Sequence, residues 1–215
     1  MVQENTFAGV DSGMVADALD ILGFDGAMTG LTPLSPGQHF HGPAMTVRML
    51  RGTPGTYGAD EIALGRVLEM AEAGDVVVVD VGGAAVSVWG ELTTIAAQNK
   101  GIVGLVVDGA VRDADIMRAA HFPVMTRHIV PTAGKTRLRL GSANEEPVLC
   151  GGVTVNPGDL IFADESGVVV CPQSMTTAVL LEVEKIQTRE TEMKKNLARG
   201  LSYIEAAREL GLRQL

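Results

Sequence analysis

The run Asp75-Val-Val-Val-Val-Asp-Val-Gly-Gly83 constrains this chain more than any other stretch. Its β-branched residues favour a strand, and an unbroken series of them leaves no polar face for water. Such a strand must be covered on both sides, which predicts a central strand between two packed layers. The residues that come next continue the theme. A helix is expected from about Trp89 to Asn99, stopped at Gly101, and then a second buried strand from Ile102 to Val107. A short helix over Arg112 to Ala120 and a short strand over Pro123 to Thr126 complete a β-α-β-α-β order, the mark of an α/β fold.

Upstream, Ser12 is placed to cap a first helix with Met14, Val15, Ala18, Leu19 and Leu22 on one face and Gly23 as its stop. A Gly/Pro loop over residues 25–42 leads to a strand from Pro43 to Leu50. A second loop, RGTPGTYGADE, precedes a helix from Ile62 to Ala73 that Gly74 closes. Downstream of residue 136 the grammar becomes that of a meander, four or five short strands parted by turns such as Asn156-Pro157-Gly158 and Glu165-Ser166-Gly167. No flexible linker sets it apart. A long helix from Ser174 to about Arg199 follows, with Val179, Leu180, Val183 and Ile186 on the side that can pack. Its polar second half is expected to extend away, and a last helix runs from Tyr203 to Leu210. The expected organisation is one body, residues 1–173, and a helical tail, residues 174–215, that packs on the body and can reach a neighbouring subunit.

Composition narrows the function. At 46% hydrophobic but 4% aromatic, the core must be built from Val, Leu, Ile, Ala and Met. A net charge of −9 argues against a nucleic-acid partner, which needs a clustered positive surface. It leaves room for a small anionic substrate met by one local Arg. Cys150 and Cys171 sit at the edges of apolar segments without zinc-type spacing, and read as reduced core thiols. No apolar run approaches the roughly 20 residues of a membrane span, and the first residues lack the pattern of a signal peptide. The expected location is the cytoplasm.

The charged groups at the strand exits are the candidate site. Twenty residues, one helix plus one strand, separate Glu91 from Arg112-Asp113. In an open α/β sheet, ligands bind at the carboxyl ends of the strands, so parallel neighbours would bring these residues, and Asp108 with them, to one edge. One or two carboxylates suffice for Mg²⁺, which keeps several waters. Arg112 can clamp a carboxylate. A surface salt bridge beside helix N-terminal acids explains the same spacing, and spacing alone leaves both readings open.

The turn VGGAAVSVWG matches neither GxGxxG nor a P-loop. Its amides around Gly90, Glu91, Leu92 and Thr93 open a helix and suit a ligand carboxylate. Trp89 can wall a pocket or fill the core. His39 and His41 form an HxH pair without a third ligand, and His121 and His128 have no evident partner. No GxSxG serine, no Cys beside a His and no lysine in an apolar strand supports covalent catalysis. The tail acids Glu182, Glu184, Glu190 and Glu192 read as a solvated helix face.

Three runs carry a family resemblance: GGAAVSVWGEL (82–92), GLVVDGAVRD (104–113) and VNPGDLIFADESGVVVCP (155–172). They resemble the RraA-like family, which joins 4-hydroxy-4-methyl-2-oxoglutarate aldolase to the regulator of ribonuclease activity A. The third run looks like a fold signature shared by both. An acidic residue, twenty residues, then Arg-Asp resembles the aldolases. The resemblance implies a swivelling α-β-β-α sandwich, similar to phosphohistidine domains, as a single domain with a C-terminal helical extension. It implies a homotrimer, or a hexamer of two trimers, with sites between subunits. It implies Mg²⁺ or Mn²⁺ held directly by Asp113, with Glu91 holding a metal-bound water and Arg112 contacting the keto acid and its enolate. A tail glutamate from the adjacent subunit, Glu190 or else Glu192, completes the outer shell in that scheme.

The activity implied by the resemblance is that of a class II type aldolase. Such an enzyme cleaves a 4-hydroxy-2-oxo acid, 4-hydroxy-4-methyl-2-oxoglutarate or the related 4-carboxy-4-hydroxy-2-oxoadipate, to pyruvate and a second oxo acid. Decarboxylation of oxaloacetate passes through the same enolate. The rival is a regulator without catalysis that binds a ribonuclease or an RNA helicase, which the acidic charge also suits.

Overall fold

The structure is a computed structural model that describes Phe7 and residues 9–212. In chain order its elements are α1 (Ser12–Ile21), β1 (Ala27–Met28), β2 (Thr32–Pro33), β3 (Phe40–Arg51), α2 (Leu64–Met70), β4 (Val76–Asp80), β5 (Ser87–Trp89) and α3 (Glu91–Lys100). Then come β6 (Gly104–Val111), α4 (Ala114–Ala119), β7 (Val124–Ile129), β8 (Leu138–Ala143), β9 (Val148–Cys150) and β10 (Val153–Val155). The chain continues through β11 (Leu160–Asp164), β12 (Gly167–Cys171), α5 (Thr176–Ala198) and α6 (Tyr203–Glu209).

The valine run is the central strand that its composition demands. β4 lies between β3 and β6, parallel to both, and β7 extends the parallel set. Side chains of a strand alternate between faces, and here each face meets a different layer. Val77 and Val79 point into a core shared with Val67 of α2, Ala97 of α3 and Met117 of α4. Val76 and Val78 point the other way, towards Ile161, Ala163, Val168 and Val170 of β11 and β12. Those two strands use their alternate residues, Phe162, Val169 and Cys171, to hold Val15 and Leu19 of α1 and Val179, Val183 and Ile186 of α5. Each valine removed from water contributes about 1.5–3 kcal/mol before chain entropy is subtracted. The order of layers is thus helix, sheet, sheet, helix, the α/β sandwich that the resemblance implied. β3 links the two sheet layers, pairing β11 through Phe40–Pro43 and β4 through Ala44–Arg48.

Several boundaries differ from expectation, each for a local reason. Trp89 is strand rather than helix, because Ser87 and Trp89 pair alongside Ala110 and Val111 of β6. β6 does not end at Val107 but runs to Val111, since the charge of Asp108 is paired inside the sheet. The cap of α1 is Asp11, which accepts from the amide of Met14 at 2.8 Å. Ser12 is the first helical residue, and its amide and hydroxyl both donate to Asp164. After α5, α6 folds back on the end of that helix, with Ala206 and Ala207 buried and Arg199 paired to Glu209. No described helix is long and apolar enough to cross a membrane.

Candidate functional site

Parallel pairing of β4 with β6, Asp80 opposite Asp108, puts both strand ends on one edge of the sheet. Beyond β4 the chain must turn at once. Gly82 and Gly83 do so at φ 62° and 71°, a region that side chains rarely adopt, and the Asp80 carboxylate accepts the Gly82 amide at 2.8 Å. The amides of Val81 and Gly83 both donate to the carbonyl of Asp108 at 3.1 Å. The chain then returns beside β6 as β5, and the Arg112 amide donates to the Trp89 carbonyl at 3.0 Å. Trp89 is 1% exposed and donates from Nε1 to the Thr94 hydroxyl at 3.1 Å. It is a core residue that pins the first turn of α3, not a pocket wall.

This frame brings Glu91, Arg112 and Asp113 together. Asp113 takes the left-handed conformation, φ 52°, which turns the chain from β6 into α4. Its Oδ2 accepts the Glu91 amide at 3.2 Å and lies 3.3 Å from Arg112 Nε. Both contacts converge on one oxygen, so Oδ1 faces away from them. The side chains of Arg112 and Asp113 are 45% and 33% exposed, and Glu91 is half-buried in the first turn of α3. The Thr93 hydroxyl closes the corner, accepting from the Gly90 amide at 3.0 Å and donating to the Gly90 carbonyl at 2.9 Å.

The amide cradle is smaller than the sequence suggested. The Gly90 amide is taken by Thr93 and the Glu91 amide by Asp113. Leu92 and Thr93 remain as the first-turn amides that helix geometry leaves without an intrahelical acceptor. Those two are the ones available to a ligand carboxylate.

Asp108 belongs elsewhere. Its carboxylate, 9% exposed, sits between the sheets, where Oδ1 meets Arg127 Nε at 2.6 Å and Oδ2 accepts the Gly151 amide at 2.8 Å. It ties β6 to β7 and to the β9–β10 hairpin. The hydrogen bond to Asp108 raises the Arg127 pKa, although burial opposes it. Arg127 was not singled out in the sequence. The sequence carries little signal for it, since Arg127 stands between Thr126 and His128, just past the expected strand. Glu190 and Glu192 lie in the opposite helical layer, on α5, paired to Lys194 and Lys195. Glu190 lines a groove of about 480 Å³ with Asp17, Ile186 and Tyr203, so within one chain it does not reach the site.

The histidines do not form a metal pair. His39 Nε2 is 3.1 Å from the Val10 carbonyl, while His41 stacks on Phe162 and its pKa is lowered by burial and by His39. His121 turns the chain after α4 at φ 52°, and His128 lies in β7. Burial pushes both thiols up, Cys171 to about 11, so neither is a nucleophile at neutral pH.

Among the described residues no three His, Cys, Asp or Glu side chains gather into a metal cage. Mg²⁺ does not require one, since it accepts one or two carboxylates and keeps its waters. Asp113, whose Oδ2 alone is taken by the Glu91 amide and Arg112, offers one carboxylate oxygen of that kind.

A family model, RraA-like, described as Aldolase/RraA, matches residues 13–170. This chain belongs to the RraA-like family. Protein DlpA of Legionella pneumophila is 37% identical over 201 residues, which is 93% of this chain but 32% of DlpA, so the chain spans under a third of that relative's length. A protein of Halalkalibacterium halodurans named "Putative 4-hydroxy-4-methyl-2-oxoglutarate aldolase" is 33% identical over 204 residues, 93% of this chain and 92% of that protein. Among solved structures, Streptomyces coelicolor RraAS2, described as an unusual member of the RNase ES inhibitor RraA protein family, superposes with a TM-score of 0.80. It is 30% identical, over 90% of this chain and 96% of that one. The RraA-like family thus holds proteins named for aldol cleavage and for ribonuclease inhibition.

Proposed function

We propose that this RraA-like protein is a divalent-metal-dependent lyase that cleaves a 4-hydroxy-2-oxo acid, such as 4-hydroxy-4-methyl-2-oxoglutarate or 4-carboxy-4-hydroxy-2-oxoadipate, to pyruvate and a second oxo acid. One observation carries the reading: the Asp113 carboxylate is fixed through a single oxygen, by the Glu91 amide and Arg112, at an exposed strand edge beside free helix amides. The relative named as an aldolase, aligned over nearly the whole chain, supports it.

Asp113, with Glu91 beside it, would hold Mg²⁺ or Mn²⁺, and a bound ion supplies Lewis-acid polarisation of the 2-keto oxygen. The remaining work falls to the chain. The amides of Leu92 and Thr93 bind the C1 carboxylate. Glu91 takes the C4 hydroxyl proton through a water. The C3–C4 bond breaks, its electron pair moves to the pyruvyl half, and the C4 half leaves as a carbonyl compound. Arg112 faces the negative charge that develops on the enolate oxygen, stabilisation of the preorganised electrostatic type. A proton delivered to C3 gives pyruvate. Oxaloacetate enters the same path, with carbon dioxide as the leaving half.

The site is open in one chain, and Leu92 and Ile95 of α3 and Ile116 of α4 are exposed around it. In the proposed assembly, a homotrimer or a hexamer of two trimers, a second copy covers them and Glu190 of the partner subunit, or Glu192 of the partner subunit, completes the outer shell. The similarity to RraAS2 favours a second reading, a regulator that binds a ribonuclease or helicase. Pyruvate release from oxaloacetate and from 4-hydroxy-4-methyl-2-oxoglutarate separates the two. Turnover with Mg²⁺ that EDTA abolishes is the expected result, and its absence on both substrates supports the regulator.

A further inference from the structure

Gly90 sits where the chain passes closest to the candidate metal ligand. A Cβ at residue 90 would lie 2.6 Å from Asp113 Oδ2, 3.1 Å from Arg112 Cγ and 3.2 Å from Arg112 Nε. Gly90 is not required by its backbone, since φ −165° is extended and open to any residue. What requires it is the carboxylate. The amide of the next residue reaches Asp113 Oδ2 at 3.2 Å only because residue 90 has no side chain in between. The Thr93 hydroxyl holds the Gly90 amide and carbonyl together and so fixes the direction of that amide.

We propose that Gly90, braced by Thr93, is a positioning residue for the metal. It lets the Glu91 amide and Arg112 occupy Asp113 Oδ2, so that Asp113 presents Oδ1 alone, as a single-oxygen ligand of fixed orientation. The inference rests on the metal reading above. Partners that orient a ligating carboxylate usually account for about 10- to 100-fold in metal affinity, and Gly90→Ala displaces two of them at once.

The test is Mn²⁺ binding by electron paramagnetic resonance to the full chain, without substrate, for wild type, Gly90→Ala and Thr93→Val. Circular dichroism and melting temperature are read alongside. A wild type that binds Mn²⁺ and a Gly90→Ala variant that binds about 10- to 100-fold more weakly at an unchanged melting temperature is the expected result. Thr93→Val keeps the space open but frees the Gly90 amide, and should weaken binding by about 10-fold, the lower end of that range. If Gly90→Ala does not fold, Thr93→Val decides. Wild-type Mn²⁺ affinity in whichever variants fold overturns the role of Gly90 and leaves the metal reading standing. A wild type that binds no Mn²⁺ overturns the metal reading itself.

Discussion

Asp113 combines an uncommon backbone with the proposed ligand role. At φ 52° it occupies the left-handed region, where aspartate and asparagine are the side-chain-bearing residues best tolerated. Asp113→Asn therefore keeps the turn into α4 while removing the charge. Metal-dependent pyruvate release should fall by more than the roughly 10- to 100-fold that an outer partner costs, with little change in melting temperature. Full turnover by Asp113→Asn in EDTA would defeat the lyase reading. At this scale the sequence was informative wherever a residue's meaning lay in chain spacing. Glu91, Arg112 and Asp113 meet because one helix and one strand separate them. It was uninformative where meaning lay across the sheet. Asp108 looked like a fourth member of the site, yet Arg127, on the neighbouring strand, and the Gly151 amide take both its oxygens. Whether the Gly90 and Glu91 amides are free or already taken also depends on contacts that no spacing reveals.

Elements show the same division. The strands were legible because burial on two faces leaves a continuous apolar run, and the helix of residues 91–100 because Gly101 stops it. Their ends were less so. Pairing with β6 keeps Trp89 in a strand, and pairing of Asp108 with Arg127 carries β6 on to Val111. The start of α1 depends on a residue 152 positions away, since the Ser12 amide and hydroxyl donate to the two Asp164 oxygens at 2.7 and 2.8 Å. Burial alone would raise the Asp164 pKa, but these bonds and those from Ser166 outweigh it and hold it below the ordinary carboxylate value. A carboxyl group with a lowered folded pKa stabilises the fold above its unfolded pKa, about 3.9 for aspartate. That contribution is lost as pH falls through the folded value. Asp164→Asn should cost about 1 kcal/mol at pH 7, the usual net contribution of a hydrogen bond. In urea unfolding the gap between variant and wild type should close only below about pH 4. A gap that stays constant down to pH 2 would show that the ionised carboxylate is not the stabilising form.

Across the whole molecule, the four layers follow from strand alternation, and the outer helical faces carry two sets of exposed apolar residues. Leu92 is 77% exposed and Ile95 47%, three residues apart and so on one face of α3, with Ile116 exposed on the adjacent α4. A second set, Ile21, Tyr203 and Ile204, is exposed on the opposite helical layer, where Glu190 also lies. Single exposed apolar residues are ordinary, whereas a cluster that rims a candidate site marks a surface to be covered. Two unlike patches on one chain suit a head-to-tail contact, which closes into a ring when the rotation allows. Placing the first patch of one copy on the second patch of the next would also carry a tail glutamate towards Asp113. Ile95→Asp puts a charge into that contact while leaving Glu91, Arg112 and Asp113 themselves unsubstituted. It should shift the protein from oligomer to monomer in light scattering, lower a melting temperature that rises with wild-type concentration, and reduce lyase activity in proportion to the monomer formed. A variant that is monomeric yet fully active would place the whole site within one chain, and an unchanged oligomer would move the contact away from α3.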